Sequence, residues 1–149
     1  MKLVNKIERT IILPVAQERV WAAITVPEKM AKWFAPECDI NYEPGGSLRL
    51  VWENGDVSRG VVEAIEPPSI FSFRWHARPV EYTDPLTSEN STVVTFRLET
   101  VNSGTRLTVT EEGFAGLPDI AREQVLSKNT VGWKARLAGF EQYVGQVES

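Results

Sequence analysis

PDIAREQVLSKNTVGWKARLAGFEQYVGQV, residues 118–147, is the stretch that decides the fold of this chain. A stripe of mostly apolar residues recurs in it at alternating spacings of four and three: Leu126, Thr130, Trp133, Leu137, Phe140, Val144 and Val147. Because an α-helix has 3.6 residues per turn, this spacing places the stripe on one face of a long helix. Pro118 suits a first helical position, and Asp119 complements the positive end of the helix dipole. Such a helix needs a broad apolar surface to cover it.

The segments before this helix alternate apolar and polar residues with the period of two that is typical of strands. Strands are predicted at residues 6–13, 38–43, 47–53, 57–65, 70–77, 92–100 and 105–111. A short helix is predicted over 15–24, and a second opens at Pro27 and stops at Ala35-Pro36. The pattern favours an α+β fold, in which a curved antiparallel sheet of seven strands wraps around the C-terminal helix.

The composition indicates one ordinary domain over residues 1–149. The chain is 42% hydrophobic and 24% charged, and its net charge of -4 argues against a nucleic-acid surface. The single cysteine, Cys38, excludes an internal disulfide and fits a reducing compartment. The start, MKLVNKIERT, lacks an apolar signal core, and no apolar run reaches membrane-spanning length. We therefore expect a cytoplasmic protein that neither inserts into a membrane nor binds nucleic acid.

Residue types that carry metal or nucleophilic chemistry are sparse. One histidine and one cysteine lie far apart in the sequence, which gives no zinc-ligand spacing. Strand alternation places His76 on the outer face of the sheet, so we expect a surface histidine rather than a triad member. Nucleophile-elbow, phosphate-loop and dinucleotide motifs are absent from the sequence. The sequence thus predicts no metal, no cofactor and no assigned catalytic residue.

A curved sheet and one helix leave a concave space between them, which large side chains or a ligand must fill. With five Trp in one domain, we expect part of the aromatic set to line such a cavity rather than the closed core. The predicted lining residues are Trp75 and Phe96 on the sheet, with Trp133, Leu137 and Phe140 on the helix.

Two polar residues are predicted at the same cavity. Glu111 continues the inward face of Leu107 and Val109, whereas its neighbour Glu112 should face water. Glu111 is interpreted as a ligand anchor; a general acid or base and a solvated rim residue are the alternatives. Asn129 is predicted to supply a polar contact at the cavity mouth.

Two further features depart from the regular pattern. Gly132 costs the helix about 1 kcal/mol relative to Ala, which suggests that the backbone passes close to a neighbour there. Residues 78–91 join two hairpin strands through about fourteen residues, where two to five is usual. This loop is interpreted either as a tolerated surface insertion or, with residues 113–117, as the rim of the cavity.

A series of short motifs follows in a specific order along residues 6–144. They are Val20-Trp21, Trp33-Phe34-Ala35-Pro36, Pro44-Gly45-Gly46-Ser47-Leu48, Gly60, Pro67-Pro68, Phe73-Arg74-Trp75, Thr105 with Thr108 and Glu111, and Gly132-Trp133 with Leu137 and Phe140. Their order resembles the START-like helix-grip superfamily, and within it the bacterial relatives of the Hsp90-ATPase-activator homology domain. The resemblance implies a seven-stranded sheet around the C-terminal helix, with a cavity between them. Members of the superfamily include hydrophobic-ligand carriers, polyketide cyclases and aromatases, and co-chaperones.

Three functions follow as hypotheses. The leading one is a protein that holds a small hydrophobic or aromatic ligand between sheet and helix. The second is a cyclase-like or hydrolytic enzyme in which Glu111 moves a proton within the same cavity. The third is a co-chaperone of an Hsp90-type ATPase, for which we expect no activation, since the eukaryotic activators carry an additional N-terminal domain. A homodimer is compatible with each hypothesis.

Overall fold

The computed structural model describes residues 4–77 and 85–148. Each predicted strand forms, with ends displaced by a few residues, and the predicted helix-grip fold is confirmed. The elements are β1 (Lys6–Leu13), α1 (Gln17–Thr25), α2 (Pro27–Met30), β2 (Glu37–Ile40), β3 (Ser47–Val51), β4 (Val57–Glu66), β5 (Ile70–His76), β6 (Ser91–Val101), β7 (Gly104–Glu112), a 3₁₀ turn (Phe114–Gly116) and α3 (Asp119–Glu148).

The strands form one antiparallel sheet in the order β1-β7-β6-β5-β4-β3-β2. The last strand, β7, lies between β1 and β6, so its residues are paired on both sides. Glu111 on β7 stands opposite Ile7 on one side and Val94 on the other. A register shift between Val62 and Ala64 marks an irregularity in β4, and such bulges bend a sheet locally. The sheet is therefore a continuous surface that can curve around α3.

The buried face of α3 follows the predicted stripe from Trp133 onwards and departs from it at the start of the helix. Its buried apolar residues are Val125, Trp133, Leu137, Phe140 and Val144. Val125 is buried whereas Leu126 is only half-buried, although the 3.6-residue period places Leu126 and not Val125 in line with Trp133. Thr130 is also half-buried, and the side chain of Val147 lies outside the described residues.

None of the described helices is both long and apolar enough to span a membrane.

The turn between β3 and β4 brings polar residues next to α3. The Trp52 N–H donates to the carbonyl of Asp56 at 2.9 Å, and the Gly55 N–H donates back to the carbonyl of Trp52 at 2.9 Å. Gly55 has φ 89°, a conformation that glycine adopts at no steric cost. The side-chain oxygen of Asn54 accepts a 2.9 Å bond from the Asp56 N–H. This tight turn holds Glu53 and Asn54 in fixed positions.

The long loop after β5 is described only in part. Of the predicted loop 78–91, residues 78–84 lie outside the described residues. The described end is tied to the sheet, since the Ala77 N–H donates to the carbonyl of Asn90 at 2.8 Å. The role of this loop as a cavity rim stays a prediction.

Candidate functional site

Glu111 is a fully buried carboxylate on the inward face of β7. Its residue exposure is 0%, the same as that of Leu107 on the same strand face, whereas Glu112 is exposed. Strand alternation therefore placed this side chain on the correct side of the sheet. A buried carboxylate is costly unless hydrogen-bond donors replace the water that it loses.

Four side chains supply those donors. The Oε2 atom accepts from Thr92 Oγ1 at 2.6 Å and from Trp75 Nε1 at 3.0 Å. The Oε1 atom accepts from Trp133 Nε1 at 2.8 Å. Asn129 Nδ2 lies 3.1 Å from Oε1 and 3.0 Å from Oε2. The donors come from β5, β6 and α3, so one carboxylate joins the helix to three adjacent strands of the sheet.

Among the residues that the structure describes, Glu111 is surrounded by hydrogen-bond donors of neutral side chains and not by a cation. None of the ion pairs among the described residues includes Glu111. An ionised carboxylate only accepts hydrogen bonds, and its two oxygens offer about four acceptor positions. Because the donors fill these positions, Glu111 has little capacity left to bind a ligand directly.

A cavity of about 340 Å³ opens beside this hydrogen-bonded group. It lies between α3, the β3–β4 turn and the end of β5. Its lining residues are Phe34, Trp52, Glu53, Asn54, Asp56, Ser58, Trp75, His76, Ala77, Lys128, Asn129, Gly132, Trp133 and Arg136. Three of them, Trp75, Asn129 and Trp133, also donate to Glu111. The carboxylate thus lies directly behind the cavity wall and fixes the groups that form it.

The apolar part of the wall consists of four aromatic side chains, with three indole rings packed around Phe34. The Phe34 ring stacks on Trp133, with centroids 5.6 Å apart and planes 20° apart. The Phe34 ring packs edge-to-face with Trp52 at 5.2 Å between ring centroids, and its centroid lies 6.1 Å from that of Trp75. Mutual contacts of this kind hold large rings in one orientation. The cavity therefore has rigid aromatic walls.

An ion pair joins α3 to the β3–β4 turn at the mouth of the cavity. Arg136 Nη1 and Nη2 donate to the two oxygens of Glu53 at 2.8 and 2.9 Å. Nη1 also donates to the Phe34 carbonyl at 2.7 Å, and the guanidinium lies 5.1 Å from the centroid of the Trp52 ring. Hydrogen bonding to Arg136 lowers the pKa of Glu53 to about 2. A bidentate pair of this kind fixes the distance between helix and turn.

Gly132 contributes empty space to the cavity. A Cβ atom built at this position would have no neighbour within 4 Å, and the residue is part of the cavity lining. The interpretation that the backbone passes close to a neighbour at Gly132 is therefore wrong. The glycine leaves room beside Trp133, which a side chain would occupy.

The predicted site residues separate into two groups. Trp75, Asn129 and Trp133 line the cavity, and Glu111 lies behind them. A second set is buried in the core and does not line this cavity: Phe96, Leu137 and Phe140. Packed rings fill the deep part of the concave space, since Trp33 lies 4.5 Å from Phe140 between ring centroids. A role in ligand binding stays a prediction for every one of these residues.

His76 is not the surface residue that was expected. Its exposure is 6%, and it lines the cavity. Its Nδ1 atom lies 3.2 Å from the carbonyl oxygen of Arg59, and must carry the hydrogen because a carbonyl only accepts. His76 is the last residue of β5, where the regular alternation ends, and alternation alone therefore did not reveal its place in the cavity lining.

Sequence reasoning also missed Phe34, Trp52 and Arg136 as parts of the wall. Arg136 was visible as a charged residue one turn from Gly132 and Trp133, but its partner Glu53 is far away in sequence.

The described residues contain no group of three or more His, Cys, Asp or Glu side chains that could hold a metal ion. Burial raises the pKa of the Cys38 thiol to about 11, so this thiol is a poor nucleophile near neutral pH.

Comparison with known proteins identifies relatives by family and by fold. The family model described as Activator of Hsp90 ATPase homolog 1-like protein matches residues 14–145. Protein MLL2253 from Mesorhizobium loti has a TM-score of 0.79 at 22% identity, over 95% of this chain and 97% of that chain. The Aha1 dimer from Colwellia psychrerythraea has a TM-score of 0.74 at 17% identity, over 95% and 96%.

DynU16, described as a putative protein in the dynemicin biosynthetic locus, has a TM-score of 0.76 at 23% identity. The match covers 96% of this chain and 48% of DynU16, so this chain spans about half of that protein. At these identities the likeness to solved structures shows the fold alone. No curated protein sequence matches this chain significantly.

Proposed function

Because this chain belongs to the Activator of Hsp90 ATPase homolog 1-like protein family, we propose that it uses the helix-grip fold of that family to bind a small hydrophobic or aromatic molecule. The proposed site is the cavity of about 340 Å³ between α3, the β3–β4 turn and the end of β5. The observation that carries the proposal is the wall itself, where four aromatic rings and an amide are fixed around an open space.

The size and lining of the cavity suit a compact organic molecule. Ligand sites are typically about 300–1,000 Å³, with mostly apolar walls and a few oriented polar groups. The walls of this cavity are Phe34, Trp52, Trp75 and Trp133, and the polar groups include Ser58. We infer that a planar molecule of two or three rings fits between these side chains.

The placement of Glu111 favours binding over catalysis. A general acid or base must reach the proton that it transfers, directly or through one water. The carboxylate lies behind the wall, and its oxygens already accept from Trp75, Thr92, Asn129 and Trp133. A cyclase-like or hydrolytic enzyme remains the second hypothesis, and a co-chaperone of an Hsp90-type ATPase the third.

Native mass spectrometry of freshly purified protein tests the binding proposal. We expect a retained small molecule, or saturable binding of an uncharged fluorescent probe such as N-phenyl-1-naphthylamine. Gly132→Leu should abolish this binding because the new side chain occupies the cavity. Gly139→Leu is the matched control, since Gly139 lies on the same helix, outside the cavity lining, with no atom within 4 Å of a built Cβ. Equal probe binding by the two variants would argue against this site.

A further inference from the structure

We propose that this cavity selects ligands that carry a hydrogen-bond donor, such as an aromatic N–H or an ammonium group, over ligands of equal shape that only accept. The inference rests on the proposed function and adds the chemical class of the ligand. It follows from three observations. Every indole N–H in the wall already has an acceptor, the amide of Asn129 has one orientation, and a carboxylate is buried behind the wall.

The indoles of the wall have no N–H left to offer a ligand. Trp75 and Trp133 donate to Glu111 at 3.0 and 2.8 Å. Trp52 donates to the hydroxyl of Ser58 at 2.8 Å. Each indole has a single N–H donor, so these rings present only carbon edges and π faces to the cavity. The faces of aromatic rings carry partial negative charge, which attracts cations and polarised N–H groups.

Asn129 also presents an acceptor to the cavity, because its amide nitrogen already donates to Glu111. Its Nδ2 atom lies 3.1 and 3.0 Å from the two oxygens of Glu111. An ionised carboxylate has no hydrogen to donate, so the amide cannot be turned with its oxygen towards Glu111. The Oδ1 atom is therefore directed away from the carboxylate, and within the described residues no hydrogen bond to it is found. As Asn129 lines the cavity, this oxygen is a fixed acceptor for a ligand donor.

The charges around the cavity favour the same class of ligand. The acidic lining residues Glu53 and Asp56 are balanced by Lys128 and Arg136. The guanidinium of Arg136 is already bound by Glu53 and by a backbone carbonyl. Behind this balanced lining, the carboxyl oxygens of the buried Glu111 add negative charge density that bulk water screens poorly. A donor or cation placed against Asn129 gains from this field, whereas an acceptor is repelled by it.

Indole and benzofuran test the inference on the unaltered protein. The two molecules have almost the same shape, but only indole carries an N–H donor; 1-methylindole keeps the nitrogen and lacks the donor. Titration of each into ¹⁵N-labelled protein, followed through the Nε1 signals of Trp75 and Trp133, gives the three affinities. We expect indole to bind about tenfold or more tightly than either analogue, because the analogues leave the acceptor unpaired.

Two variants locate the origin of the selectivity. Asn129→Leu removes the acceptor and should bring the indole and benzofuran affinities together. Glu111→Gln supplies a donor behind the wall, which allows the Asn129 amide to turn over, and should reduce or reverse the preference. Glu112→Gln, at the exposed neighbouring position, should leave the preference unchanged.

The possible failures are distinct. Benzofuran that shifts the same indole signals with equal or higher affinity would overturn the donor selectivity, while binding of a small aromatic molecule would stand. A wild-type preference that survives in Asn129→Leu would overturn the role of Asn129. An absence of shifts with all three probes would overturn this inference together with the proposed function.

Discussion

The space between the sheet and α3 has two halves, which share aromatic walls but differ in what the helix adds. In the closed half, α3 contributes Leu137 and Phe140, and the Phe140 ring fills the space against Trp33 at 4.5 Å between centroids. In the open half, α3 contributes Gly132 and leaves a cavity of about 340 Å³ beside Trp133. The comparison teaches that the number of aromatic residues does not create a cavity. The cavity lies where the helix presents Gly132 instead of a large side chain.

The two halves also use their indoles differently. In the closed half, Trp33 donates to the backbone carbonyl of Ala23 at 2.8 Å, a bond that needs no other side chain. In the open half, Trp75 and Trp133 share one carboxylate. Apolar burial stabilises the closed half, whereas a polar network organises the open half. Substitutions in the closed half should therefore affect folding most, and substitutions in the open half should affect binding most.

The largest effect is expected from Phe140→Ala in the closed half. The side chain is 0% exposed, and removal of a fully buried Phe ring costs about 3–5 kcal/mol through lost burial and a new cavity. Urea unfolding monitored by circular dichroism measures this loss. Val131→Ala on the exposed face of α3, where Val131 is 69% exposed, should change stability by less than about 0.5 kcal/mol. A similar small effect at Phe140 would contradict the closed packing.

A smaller loss of stability is expected from Glu111→Gln in the open half. A carboxamide has one acceptor oxygen, and its amino group faces donors that need an acceptor, so we expect a loss of about 1–3 kcal/mol. Glu112→Gln is the matched control, because Glu112 is exposed. Its free energy of unfolding should lie within about 0.5 kcal/mol of the wild-type value. Equal stabilities for the two variants would mean that the network around Glu111 contributes nothing to folding.

The opposite sign is expected from Gly132→Ala. A Cβ at this helical position meets no atom within 4 Å, so the substitution should stabilise the protein by about 1 kcal/mol through helix propensity. Gly139→Ala should give a similar gain, since its surroundings are equally open. Thermal unfolding measures both gains, and only Gly132→Ala should also weaken probe binding. A loss of stability at Gly132 would restore the idea of a close neighbour there.

The smallest effect is expected at the ion pair that spans the cavity mouth. The folded-state pKa of Glu53 is about 2 against an ordinary value of 4.5, so its contribution is complete above pH 4.5 and is lost as the pH falls towards 2. The side chain is 59% exposed, and solvent screening keeps the contribution small. In urea unfolding between pH 2 and pH 5, Glu53→Gln should show a shallower dependence of stability on pH than wild type. Identical slopes would contradict the ion pair.

The sequence predicted those features that depend on local periodicity. The strands, the long helix and the inward direction of Glu111 follow from periods of two and 3.6, which one strand or helix carries by itself. The same reasoning placed Leu126 instead of Val125 on the buried face, because the helical period does not tell which neighbouring elements cover the start of the helix.

The missed features depend on residues that are distant in sequence. Arg136 and Glu53 meet only because the β3–β4 turn reaches α3, and His76 is buried by groups outside its own strand. A glycine inside a helix is costly, and this correctly marked position 132 as unusual. The sequence does not tell, however, whether a side chain at that position would meet an atom or empty space. Such a choice requires the distance between two elements, which no single segment encodes.

The turn that connects β3 with β4 is a place where the shape of the cavity can be changed without disturbing the core. It supplies one wall of the cavity from Glu53, Asn54 and Asp56, yet its backbone closes on itself through bonds between Trp52, Gly55 and Asp56. Insertions in exposed hairpin turns cost little folding free energy. Lengthening this one turn should thus reshape the cavity, while the buried carboxylate and the closed aromatic half keep their places.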